Sequence, residues 1–361
     1  MRAWLAACLF FAALGAPSIA DTLRIASFNT ELAQDGPGLL LKHLNRGTDP
    51  ATEAVLQVIA AAQPDILVLQ SLDWDARNQT LQSLADRLGE AGNHYSHLFA
   101  LKPNSGQEMP LDLDGDGRTG GPGDAQGFGY FTGQGGMAIL SRYPILTGEV
   151  RDYSQILWSD LPDALLPNHP DGSPFPSAEA LAVQRLSSVG HWAVPIQLDS
   201  GTVLTVLAFQ AGPPVFDGPE DRNGRRNHDE IQLWARVLDG QFGPPPPAPF
   251  VIAGGANLDP ADSDGRTEAI RTLLSDPRLQ DPHPSSPGAA VAPDQGHSSP
   301  NAQDTVDWRG IGRFRVDYVL PSSDLTVTAS EVYWPPDKDP MAEIAQTASR
   351  HRLVWVDLAV H

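Results

Sequence analysis

The sequence predicts an α/β protein. Short apolar runs that end in polar residues recur along the chain, amphipathic helical patterns lie between them, and 41% of the 361 residues are apolar, enough for a large core. "LRIASFN" (23–29) and "DILVLQ" (65–70) read as buried strands. Between them, "DPATEAVLQVIAAAQPD" predicts a helix with Asp49 as its cap, Pro50 in its first turn and Pro64 at its end. "RNQTLQSLADRLGEAG" places Leu81, Leu84, Ala85 and Leu88 on one face of a second helix, and "GMAILS" is the next strand. "HWAVPIQLDSGTVLTVLAFQ" reads as a hairpin about a Gly-containing turn. "NHDEIQLWARVLDG" predicts a helix capped by Asn227 and closed near Gly240. "PFVIAGG", "RVDYVLPS", "LTVTASEVYW" and "HRLVWVDLAV" complete the strands. The Pro-rich "GPPPPAP" (243–249) has the composition of a linker. The strand after it needs neighbours on both faces, so it reads as a loop within one domain spanning residues 21–361.

The formal net charge is -20, from 44 acidic and 24 basic residues. Such a surface repels polyanions and anionic lipid, so nucleic acid and membrane surfaces are not expected partners. The N-terminus reads as an export signal over residues 1–20. Arg2 is followed by an apolar run too short to span a bilayer, then by "SIA" before Asp21. The expected location is a bacterial periplasm or the external medium. Cys8, the one cysteine, would leave with the signal, and with it any disulfide or thiolate chemistry. Nothing in the sequence specifies an oligomer.

Three long loops, at about 102–134, 158–182 and 281–303, need a reason, since loops of this length are usually functional or disordered. In the first, Asp112, Asp114 and Asp116 alternate around a glycine turn, the spacing calcium loops use. The twelfth position, where a bidentate Glu would complete the shell, is Gly123. The stretch is thus either a polar turn on an acidic surface or a calcium loop.

The polar residues at strand ends are the informative set: Asn29, Ser71, Gln210, Asn257, Asp317 and "SRHR" (349–352). Ligands of open α/β sheets collect at such ends. With "RIASFNTE", "QPDILVLQS", "GGMAILSRYPI", "VIAGGAN", "RVDYVLPS" and "SRHRLVWVDL" in this order, the chain resembles the endonuclease/exonuclease/phosphatase superfamily of metal-dependent phosphoesterases. "PPVFDGPEDRNGRRNHDEI" is similar to a secreted bacterial subgroup. The resemblance implies a four-layer sandwich of two mixed β-sheets flanked by helices, and Mg²⁺ or Mn²⁺ as cofactor.

Carried over position by position, the resemblance matches Asn29, Asn257, Asp317 and His351 as catalytic residues, with Glu31 as an auxiliary metal ligand. It fails at four positions. Ser71 stands for the Glu that is the main metal ligand, Gln210 for a His, Gly255 for the Asp that orients water, and Arg350 for a metal-side Asp. Three carboxylates are lost and a guanidinium is gained, which disfavours a divalent cation. Two readings follow. One is a catalytically impaired domain, a pseudoenzyme, that binds a small phosphate- or carboxylate-bearing ligand through Arg350 and Gln210. The other is an active Mg/Mn phosphoesterase, for phosphodiesters or phosphomonoesters, whose metal shell is rewired through Glu31, Asp73, Asp75 or Asp259. A decayed copy that binds nothing would carry the same residues as the first.

Overall fold

The computed structural model describes residues 21–360 except 294, so the export signal read at residues 1–20 lies outside the described residues. The first half of the chain holds β1 (Asp21–Asn29), α1 (Leu39–Arg46), α2 (Pro50–Ala62), β2 (Ile66–Leu72), α3 (Gln79–Glu90), β3 (His97–Phe99), β4 (Gly136–Ser141), β5 (Arg151–Asp152) and α4 (Ala178–Leu181). The second half holds β6 (Gly190–Gln197), β7 (Val203–Gln210), α5 (Arg222–Leu238), β8 (Phe250–Gly255), α6 (Glu268–Leu274) and α7 (Pro287–Ala290). It ends with β9 (Val306–Trp308), β10 (Gly312–Phe314), β11 (Asp317–Pro321), β12 (Thr326–Val332), α8 (Met341–Ala348) and β13 (Val354–Val360).

Six strands form one sheet in the order β12-β13-β1-β2-β4-β3, and five form a second in the order β11-β8-β7-β6-β5. Both sheets are mixed: β1 is parallel to β2 and antiparallel to β13, while β7 is parallel to β8 and antiparallel to β6. Strand alternation then fixes the layers. In β1 and β2, Leu23, Ile25, Ile66 and Val68 face Val194, Val206, Val251 and Val319 of the second sheet. Ala26, Phe28, Leu67 and Leu69 point the other way, onto α1, α2, α3 and α8. On the second sheet Leu207, Phe209 and Ile252 pack outward against Ile231, Trp234 and Leu273 of α5 and α6. Helix, sheet, sheet, helix: this is the four-layer sandwich the sequence implied.

Local chemistry explains the element ends. Asp49 caps α2 by accepting the Thr52 amide at 2.8 Å, with Pro50 in the first turn. The expected start of α5 is wrong by six residues, the cap position being Asp221 and not Asn227. The helix begins at Arg222, and Asn227 is buried inside it, its amide donating to the Gly212 and Ala256 carbonyls at 2.7 Å. Asn227 thus fastens the helix to the two loops that follow β7 and β8 rather than capping it. Among the described residues no helix is long and apolar enough to cross a membrane.

Candidate functional site

Register brings the scattered strand ends together. Gln210 pairs with Gly255, and Gly255 with Asp317; in the other sheet Asn29 pairs with Gln70. Phe28 and Phe209 face the outer helices, so Asn29 and Gln210 face the space between the sheets. There the two sheets are tied by one contact: His351 Nδ1, on the approach to β13, lies 2.8 Å from Asp317 Oδ2 at the start of β11. Thr305 Oγ1 also donates to Asp317 Oδ2, at 2.9 Å. Asn29 Nδ2 is 3.4 Å from His351 Nε2, within hydrogen-bond reach. Asp317 Oδ1 is buried without a partner among the described residues. Four residues matched by resemblance therefore split: Asn29, Asp317 and His351 form one hydrogen-bonded group, whereas Asn257 donates its amide to the Ala211 carbonyl at 2.8 Å.

Glu31 and Arg350, expected as a metal ligand and an anion-binding residue, hold each other instead. Glu31 Oε2 accepts the Arg350 backbone amide at 2.7 Å, Oε1 accepts Nε at 2.8 Å, and Nη2 also donates to Oε1. The Ser349 hydroxyl adds a bond to Glu31 at 3.1 Å. Burial alone would raise the Glu31 carboxyl, but the Arg350 bonds hold it below its ordinary range. The planar guanidinium fork fits a carboxylate better than it fits open solvent, which is why this pairing wins.

Ser71 sits on a β-bulge: Gln70 pairs with Met137 and Leu72 with Gly136, leaving Ser71 extra, with φ 56°. Glu31 and Asn257 also have left-handed backbones, at φ 49° and 51°. Such conformations in non-glycine residues gather at sites where the surroundings over-determine the chain. Gly255 lies against the end of the Gln210 side chain. A Cβ there would lie 2.3 Å from Gln210 Oε1, so the Gln210 side chain already fills the space an Asp would need. That Oε1 is itself buried without a partner.

The rewired metal shell does not assemble from its candidates. Asp73 accepts the Gln34 amide at 3.0 Å and the Gly135 amide at 2.9 Å, and burial pushes its carboxyl up to about 6 despite those bonds. Asp75 accepts the amides of Arg77, Gln79 and Thr80 at the start of α3. Asp259 accepts those of Ala261, Asp262 and Arg315. Each is turned to backbone amides, which satisfy its oxygens locally.

Beside this corner opens a cleft of about 560 Å³, lined by Ser71, Gln210 and Asn257 from the strand ends and by Arg222, Asn223 and Arg226 from α5. Neither Arg350 nor His351 lines it. The α5 residues were missed, although "RNGRR" is a basic cluster in an acidic chain. Arg226 is buried and spent on the carbonyls of Leu186, Gln126 and Arg185, with Glu230 bound in turn to Ser188 and the Gly212 amide. Arg222 is half-buried and makes one hydrogen bond, to Gln184 Oε1 at 3.2 Å. Asp114 of the acidic loop also lines the cleft. Its carboxylate and those of Asp112 and Asp116 offer oxygens within 4.8 Å of one another, each also accepting loop amides.

Comparison with known proteins identifies the frame. The model of the Endonuclease/Exonuclease/phosphatase family matches residues 26–351, and the chain belongs to that family. No curated protein matches it in sequence. Among solved structures it is similar to an endonuclease/exonuclease/phosphatase from Beutenbergia cavernae, at 19% identity and a TM-score of 0.54, over 94% of this chain and 72% of that one. It is likewise similar to a variant of beta toxin from Staphylococcus aureus with bound magnesium ions, at 13% identity and a TM-score of 0.53, over 93% of this chain and 99% of that one. A family protein from Leptotrichia buccalis follows at 17% identity and a TM-score of 0.51, over 94% and 100%. At these identities the likeness is one of fold.

Mg²⁺ or Mn²⁺ is the cofactor the fold family implies, and the donors here do not fit it. These ions want several hard oxygens, carboxylates foremost. The corner offers two carboxylates: Glu31, already bonded to a guanidinium, and Asp317, whose Oδ2 is taken by His351 and Thr305. Asn29 Oδ1 faces the Glu31 amide at 3.3 Å.

Proposed function

We propose that this chain is one exported endonuclease/exonuclease/phosphatase-like domain, impaired as a phosphoesterase, which binds a small phosphate- or carboxylate-bearing ligand in the cleft. The observation that carries this is the Glu31–Arg350 pair. A protein cation occupies the carboxylate that a divalent metal would need, and without that metal the developing charge of phosphoryl transfer goes unstabilised. The ligand's anionic group is assigned to Arg222, since Arg350 is engaged elsewhere. The acidic surface argues against nucleic acid as partner.

The test is hydrolysis of p-nitrophenyl phosphate and bis(p-nitrophenyl) phosphate in Mg²⁺ or Mn²⁺. Losing one acid–base group commonly costs about a hundredfold to ten-thousandfold, and turnover far below about one per second is expected. Turnover at that rate, abolished by EDTA, would establish the alternative of an active phosphoesterase. The intact His351–Asp317 pair is the feature that favours that alternative.

A further inference from the structure

The cleft has two chemistries. Toward the strand ends it presents polar groups whose bonding is incomplete. Gln210 lines it, although its unpartnered Oε1 is buried on the Gly255 side. Arg222 has no carboxylate within ion-pair distance among the described residues, and Asp114, Asp217, Glu220 and Asp112 act on it only from further off. Toward solvent the cleft is aromatic. Phe128 and Phe216, which line it, are 65% and 83% exposed. Six large hydrophobic side chains are exposed among the described residues. Four of them, Phe128, Tyr130, Val215 and Phe216, sit on the two loops beside this cleft. Single exposed apolar residues need no explanation, but a group of them at the mouth of one cleft marks a binding groove.

From this we infer that the cleft takes an amphiphilic anion. Its anionic head lies at Arg222, and an aromatic or acyl body rests on Phe128 and Phe216. The inference rests on the proposed reading of the cleft as an anion site. The same chemistry belongs to soluble aryl or alkyl phosphates and to lipid headgroups. With a net charge of -20 the protein is repelled by an anionic bilayer, so the soluble form is assigned.

Calorimetry on the full chain, with phenyl phosphate, inorganic phosphate and benzyl alcohol, tests it. Phenyl phosphate should bind at least about tenfold more tightly than inorganic phosphate, equivalent to ~1.4 kcal/mol; benzyl alcohol alone should not register. The Phe128→Ala/Phe216→Ala double variant should erase that difference and leave inorganic phosphate unchanged. Arg222→Gln should weaken both anions. Both aromatic positions are exposed, so the double variant remains decisive even where Arg222→Gln does not fold. Equal affinity for the two phosphates overturns the amphiphile and leaves the anion site standing. Binding of neither overturns both. Rapid phosphate release from phenyl phosphate in Mn²⁺ would instead sink the impaired-enzyme reading while the ligand class survived. Phosphatidylcholine vesicles with and without phosphatidic acid separate the sources. Sedimentation with either, lost in the double variant, would make the rim a membrane surface and overturn the soluble ligand.

Discussion

Replacing Arg350 by Asp should convert the Glu31 corner into a cation site. In the wild type, a Mn²⁺ beside Glu31 would stand about 5 Å from the guanidinium. At effective dielectric constants of about 80 to 20 that repulsion is about 2 to 7 kcal/mol. The Arg350 side chain is 61% exposed, which places the true value toward the lower end. Removing even ~2 kcal/mol improves binding about thirtyfold, and the new carboxylate adds attraction where repulsion stood. Arg350→Asp should therefore tighten Mn²⁺ by at least about tenfold. Ser71→Glu alone should do little, because the guanidinium remains. Ser71 is close enough to couple: its carbonyl accepts the Thr30 hydroxyl at 3.4 Å, next to Glu31. The double variant should bind Mn²⁺ more tightly than the two single changes sum to. Calorimetry at pH 7 and low salt measures this, with circular dichroism to establish folding. A folded double variant that binds Mn²⁺ no better than wild type would refute the reasoning. The corner would then differ from a metal site in geometry as well as in residue type.

Two further outcomes are expected. Gly255→Asp should cost about 1–3 kcal/mol of unfolding free energy through overpacking, because its Cβ would meet Gln210 Oε1 at 2.3 Å. Gln210→Ser in the same chain should recover part of the loss, and equal costs with and without it would discredit the steric account. Glu31 is held below the ordinary 4.5 of a free glutamate, so its pairing stabilises the fold fully above that pH and ceases to do so as pH falls through the folded value. The stability difference between wild type and Glu31→Gln should be flat from pH 7 to about 5 and shrink below about 4.5; a difference that grows on acidification would reverse the assigned sign.

The strands were legible because burial on both faces leaves little freedom in composition. β1, β2, β4, β6, β7, β8, β11 and β13 all fall on apolar runs visible in the sequence, whereas the edge strand β12, TVTASEV, is mostly exposed and shows through its β-branched residues. α2 was legible down to its cap because Asp49-Pro50 acts locally. What escaped notice depends on distant partners. α5 starts at Arg222 behind Asp221, whose side chain caps nothing, and its Gly224 is a poor helix former. The Asp221 carboxylate instead accepts from Arg266, 45 residues on, at 2.6 Å, so a tertiary contact, not propensity, sets that end. α1 and α8 are eight residues each, too short for their periodicity to stand out. At the site, the strand ends could be named from the sequence, but who pairs with whom could not. That Arg350 would choose Glu31, and that Asp73, Asp75 and Asp259 would turn to amides, follows from distances that no spacing encodes.

Those pairings bear on whether the corner was emptied or rebuilt. Deleting acids from a metal site leaves two costs: the surviving carboxylate stays half-buried without a cation, and the space of the lost side chains stands open. Neither cost is present where it would be expected. Glu31 has Arg350, and the room beside Gly255 holds the Gln210 amide. Glu31 with Arg350 and Gly255 with Gln210 thus form two fitted pairs, one electrostatic and one steric, around the His351–Asp317 contact. Two polar atoms remain unmatched, Gln210 Oε1 and Asp317 Oδ1. Their residues both pair across strands with Gly255, so their side chains share one face of the sheet. An unmet buried acceptor costs about 1–3 kcal/mol. The corner is therefore matched around Glu31 and Gly255 and strained at these two acceptors, which face the gap between the sheets.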